Sequence, residues 1–133
     1  MARTIGLMTL VVRNYDEAID YYVNILDFIL VEDSGLDENK RWVVIAPKLN
    51  SEFKLLLAQP KNEKEAAAIG NQTGGRVFLF LYTDDLDRDY KLYRSRGVKF
   101  VREIIEEYYG KVAVFEDLYG NLWDLIEPKQ YLS

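Results

Sequence analysis

Asp124 is the side chain of this sequence whose setting most suggests chemistry. It lies in Asp117-Leu-Tyr-Gly-Asn-Leu-Trp-Asp-Leu-Ile-Glu-Pro128, a turn followed by a strand. Gly120 and Asn121 tolerate the positive φ a turn requires, and Pro128 lacks the amide of a central ladder. Between them Leu122, Asp124 and Ile126 share one face, while Trp123 and Leu125 share the other. A carboxylate flanked by two aliphatic neighbours needs a metal, a base or water if that face is covered. Desolvation would raise its pKa and suit it to accept a proton or orient a ligand. The plainer alternative is a pairing with Lys54, or simple contact with water. Glu127 is the more conspicuous acid, but its parity places it on the opposite face or at the strand's end.

Composition narrows what Asp124 can be part of. The 133 residues fit one compact domain, with 49% hydrophobic and 29% charged side chains. A net charge of −5 lacks the basic footprint of a nucleic-acid-binding protein. There is no cysteine, which excludes disulfides and thiolate metal sites, and no histidine. Without imidazole, chemistry must run on carboxylates, lysine, tyrosine, backbone groups or a bound cofactor. No apolar run reaches the length of a membrane span, and the Met1-Ala2-Arg3 start lacks a signal-peptide core, so a cytoplasmic protein that does not engage membranes is expected.

The elements that position Asp124 come in two matching sets. Residues 4–13 alternate as a strand with Leu7, Thr9 and Val11 on one face. Asn14 and Glu17 then open a helix whose Ala18, Ile19, Tyr22, Val23 and Leu26 recur at helical spacing. Asp27 stands where a left-handed cap should end it. Strands follow at 28–33, 41–46 and 53–58, the last presenting Lys54 and Leu56 on one face. Residues 61–75 form a connector containing a short surface helix and Gly70, Gly74 and Gly75. Residues 76–83 then form a strand with Phe78, Phe80 and Tyr82 on one side. Asp84 and Asp85 cap the next helix and Gly97 stops it. Strands at 98–105, 111–115 and 122–128 complete the set. An offset of 71 residues relates Leu7 to Phe78, and one of 68 relates Pro60 to Pro128. The sequence thus predicts an α+β fold of two tandem βαβββ modules, 4–60 and 76–128. Their mixed sheet would curve around a concave trough, with helices on the outer face.

This duplication, together with Asp117-x-x-Gly-Asn-Leu-Trp-Asp-Leu-x-Glu-Pro128, resembles the vicinal oxygen chelate superfamily. That superfamily includes glyoxalase I, extradiol dioxygenases and bleomycin-resistance proteins. Leu10-Val-Val-Arg-Asn-Tyr-Asp-Glu-Ala-Ile-Asp-Tyr-Tyr-Val-Asn-Ile-Leu-Asp-Phe28 is similar to its first strand and helix, with Asp27 where glycine is usual. Gly75-Arg-Val-Phe-Leu-Phe-Leu-Tyr-Thr-Asp-Asp-Leu-Asp87 is similar to the start of its second module. The resemblance implies four metal-ligand positions, which fall on Leu7, Leu56, Phe78 and Asp124. Only Asp124 offers a donor, whereas hard cations take several oxygens. The expectation is therefore no metal and no cofactor.

Leu7, Leu56, Phe78, Phe80, Tyr82, Leu122 and Ile126 would then line an apolar pocket, with Lys54 beside them. Arg76 and the pair Arg41-Trp42 would add cationic or stacking contacts. Three functions are consistent with this arrangement. In the first, the protein sequesters a small aromatic or amphipathic molecule, as a homodimer by family resemblance. In the second it is a lyase, isomerase or dioxygenase that uses Asp124 with a metal or as a catalytic base. In the third the trough is closed by the dimer contact and the role is structural. The acidic, aromatic stretch 103–110 either overhangs the trough or forms a solvated hairpin tip.

Overall fold

A computed structural model describes residues 2–129. They form two compact units divided between Ile69 and Gly70, so the boundary falls inside the 61–75 connector. Each unit runs strand, helix, then three strands, as the duplication requires.

In the first unit, β1 (Leu7–Val11) leads into α1 (Tyr15–Asp20). Strands β2 (Ile29–Gly35), β3 (Arg41–Ala46) and β4 (Lys54–Ala58) follow, then the short α2 (Glu63–Ala66). The sheet order is β1-β4-β3-β2, with β1 and β4 parallel and the other pairs antiparallel. Asn14 Oδ1 accepts the Glu17 amide at 2.9 Å, the N-cap bond its residue type favours. The Glu17 carboxylate accepts from Arg13 at 2.8 Å. Past Asp20 the helix widens into a π-helical stretch, Tyr21–Ile25, in which the Leu26 amide reaches the Tyr21 carbonyl. Ala18, Tyr22 and Leu26 are buried there with Leu10, Val43, Ile45, Leu55 and Leu57. Ile19 and Val23 are only half-buried. Asp27 takes the left-handed conformation, φ 62°, in place of a glycine cap.

The second unit comprises β5 (Val77–Tyr82), α3 (Leu86–Ser95), β6 (Lys99–Glu107), β7 (Gly110–Glu116) and β8 (Leu122–Pro128). Its sheet order, β5-β8-β7-β6, repeats that of the first. Asp85 Oδ1 caps α3 by accepting the Arg88 amide at 3.0 Å, and Gly97 ends it at φ 88°. A run of rings forms the core: Tyr93 of α3 meets Phe115 edge-on, Phe115 stacks on Trp123, and Trp123 meets Phe78 edge-on. Offset and T-shaped pairs of this kind contribute beyond their buried area. The β6–β7 hairpin tip carries the exposed Tyr108 and Tyr109.

Candidate functional site

Strand register places Asp124 within the second unit. Phe80 lies opposite Asp124, Asp124 opposite Val114, and Val114 opposite Arg102, one row across four strands. The next row runs Tyr82, Ile126, Val112 and Ile105. Phe80 and Tyr82 expose 58% and 62% of their surface, whereas Ile126 is 6% exposed. Asp124 is half-buried between them. Burial raises its pKa above the ordinary carboxylate value, and the positive charge of Arg102 partly offsets the rise. This face therefore offers two rings, an aliphatic floor and a carboxylate with enhanced proton affinity. Such a carboxylate can accept a hydrogen bond or a proton from a bound molecule.

The first unit holds the equivalent row Thr9, Leu56, Val44 and Glu32. Leu56 thus occupies the place that Asp124 has in the second unit, as the offset of the two modules implies. Leu7 lies opposite Lys54, one row along the same face. Leu7, Leu56 and Phe78 carry no donor atoms. Among the described residues no group of three or more His, Asp or Glu side chains is placed to hold a metal. The side-chain chemistry does not fit the resident divalent ion that the family resemblance implies.

Phe78 differs from the expectation that it shares one pocket-lining face with Phe80 and Tyr82. A bulge between Val77 and Leu79 takes it out of the ladder, and its buried ring packs against Trp123. Its other surroundings are a pocket of about 140 Å³ bounded by Leu122, Arg76 and the Gly70–Gly75 loop. The remaining acids near the strand are structural. Buried Asp117 accepts from the Tyr119 and Asn121 amides, Asn121 Nδ2 and Trp123 Nε1 at 3.0–3.2 Å. Glu127 points to the helix side, where its Oε1 accepts the Leu86 amide. Arg41 is engaged by Asp33 and Asp16 and lies over the Tyr15 ring, and this holds its charge at the edge of the first unit.

Arg102 is the member of this face that alternation could not identify. Bulges on both sides of it, between Phe100 and Arg102 and between Arg102 and Ile105, break the two-residue period of β6. Its only sequence signal is that it is, with Lys99, one of two cations in an otherwise acidic and apolar strand.

Two βαβββ units, each with a parallel first-to-last strand pair, define the class, and the comparisons agree. The chain belongs to the Glyoxalase/Bleomycin resistance protein/Dioxygenase superfamily, whose family model matches residues 4–125. It is 54% identical over 128 residues to an uncharacterized protein of Shewanella frigidimarina (strain NCIMB 400), covering 96% of this chain and 95% of that one. Among solved structures it is similar to UcmS2, with 27% identity, a TM-score of 0.83 and coverage of 96% and 99%. It is also similar to TnmS3, an antibiotic binding protein from Streptomyces sp. CB03234, with 27% identity, a TM-score of 0.78 and coverage of 96% and 98%. No helix among the described residues is long and apolar enough to cross a membrane.

Proposed function

We propose that this superfamily member binds a small aromatic or amphipathic molecule and does so without a resident metal. The observation that carries the reading is the row and its neighbour in the second unit: exposed Phe80 and Tyr82 beside Asp124 and Ile126. Two large rings held in water on a regular strand are costly unless something covers them. Stacking on these rings would supply affinity, and the Asp124 carboxylate would orient a donor group on the ligand. Leu122 and Arg76 extend the surface at one end, with the buried Phe78 behind them, and Leu7, Lys54 and Leu56 form the matching face of the first unit. The antibiotic-binding description of TnmS3 supports the same reading. By family resemblance the protein acts as a homodimer.

The raised proton affinity of Asp124 supports a second reading, in which it serves as a metal-free base in a lyase or isomerase. Thermal-shift titration with daunorubicin and bleomycin tests the binding reading. Saturable stabilisation that falls about tenfold in affinity in Phe80→Asp, but persists in the exposed-helix control Lys91→Gln, is the expected result. Failure of both probes, or equal binding by Phe80→Asp, overturns it. A stoichiometric divalent ion in elemental analysis of untagged protein overturns the metal-free part. Turnover abolished by Asp124→Asn with binding intact would establish the enzyme instead.

A further inference from the structure

The first unit contains a cavity one row along from the Thr9–Leu56 row, with Lys54 common to that face and to the cavity lining. The turn joining β3 to β4 borders an open pocket of about 340 Å³. Its size lies at the small end of the range for organic ligands. Its apolar side is formed by Ile29, Leu30, Val31 and Leu49, and its polar side includes Lys48 and Lys54. The apolar groups are accessible: Leu49 exposes 71% of its surface and Val31 47%. A bulge between Leu30 and Glu32 places Val31 as an extra residue in this edge strand, and so adds to the apolar wall. The turn has a defined shape. Asn50 adopts φ 59°, and Ser51 Oγ donates to the Phe53 carbonyl at 2.7 Å.

The charge of the pocket is opposite to that of the protein. Acids outnumber bases by 22 to 17 in the chain, yet two ammonium groups line the cavity and no carboxylate does. Among the described residues neither lysine is in an ion pair, a state they share with other surface cations such as Lys61 and Lys91. Glu52, the acid of the same turn, does not line the cavity. An apolar wall beside two uncompensated cations is complementary to a molecule with a greasy tail and one negative head.

We propose that this pocket binds a small amphipathic monoanion, a carboxylate bearing an alkyl or aryl tail. The tail lies on Leu30, Val31 and Leu49, and the head meets the ammonium groups of Lys48 and Lys54. Lys54 also belongs to the first-unit face described above, but no residue of the second unit lines this pocket, so the aromatic face and the pocket can fail separately.

Octanoate and its neutral counterpart 1-octanol are the probes, followed by amide chemical shifts in the full chain. Saturable octanoate shifts centred on residues 29–31 and 48–54, with 1-octanol at least about fivefold weaker, support the site. Lys48→Gln and Lys54→Gln should each weaken octanoate by about threefold, and together by about tenfold, with an unchanged thermal midpoint. Leu49→Asp should abolish binding while amide shifts outside the turn stay in place. Absence of saturable shifts, shifts centred elsewhere, equal binding of octanol, or an unaffected double lysine variant would each overturn the proposal.

Discussion

Glu127 Oε1 accepts the backbone amide of Leu86 at 2.9 Å, which ties the last strand of the second unit to the first turn of α3. The first unit makes the same connection with a neutral group, Gln59 Oε1 accepting the Tyr15 amide at 2.9 Å. An amide in the first helical turn has no partner inside the helix, so a side chain just past β4 or near the end of β8 supplies one. The acid most conspicuous by eye is therefore committed to holding a helix. Asp124, three residues earlier and on the opposite face, is left available.

Glu127→Ala should destabilise the protein by about 1 kcal/mol, the usual cost of a lost helix-start acceptor, measured by urea denaturation. Glu127→Gln, which copies Gln59, should stay within about 0.5 kcal/mol of the parent. Equal losses in the two variants would show that the acceptor is not what matters.

Asp117 should tolerate substitution poorly. Four donors converge on its buried carboxylate, and Asp117→Asn turns an amide toward donors that need an acceptor. A loss of about 3 kcal/mol is expected, followed by tryptophan fluorescence in denaturant, because Trp123 itself loses a partner. A loss below about 1 kcal/mol would mean the turn is held by its backbone bonds alone.

Gly70 and Gly74 provide a matched pair. Their φ values are 72° and 73°, so alanine meets the same backbone penalty at both. A Cβ on Gly70 would lie 2.1 Å from the Tyr119 carbonyl oxygen, whereas one on Gly74 meets nothing within 4 Å. Gly74→Ala should cost about 1 kcal/mol. Gly70→Ala should cost at least about 2 kcal/mol more, read from denaturation midpoints, because backbone must move. Similar losses at both positions would remove the steric argument.

Asp124 predicts a pH dependence of defined sign. Burial raises its folded-state pKa, so the folded chain binds its proton more tightly than the unfolded chain does. Ionisation therefore disfavours folding, and this contribution falls as pH rises through the window from the unfolded to the folded value. Below that window the carboxyl is neutral in both states and the penalty disappears. Asp124→Asn should be slightly more stable than the parent at neutral pH, with the gap closing under acid conditions. Arg102→Ala should raise the Asp124 pKa further, seen by carboxyl carbon NMR titration. A gap that widens on acidification would contradict the assignment.

Much of the framework was legible in the residues. Alternation with period two, helical stripes, and the turn chemistry of Asp27, Gly97 and Asp117 to Asn121 are local properties, and they located the strands, the helix ends and the duplication. The equivalence of Leu56 and Asp124 followed from the same repeat and is reproduced by the cross-strand register.

What only the tertiary structure decided is where bulges and distant partners intervene. A bulge removes Phe78 from the row of Phe80, and two more bring Arg102 level with Asp124. One extra residue shifts every later side chain relative to its neighbour strand, and alternation along one strand cannot reveal that. The use of Glu127 by a helix start, and the meeting of Lys48 and Lys54 with Leu30 and Val31, depend on contacts between segments far apart in the chain. Residue types set what each strand could bury; the pairing of strands set which side chains would meet.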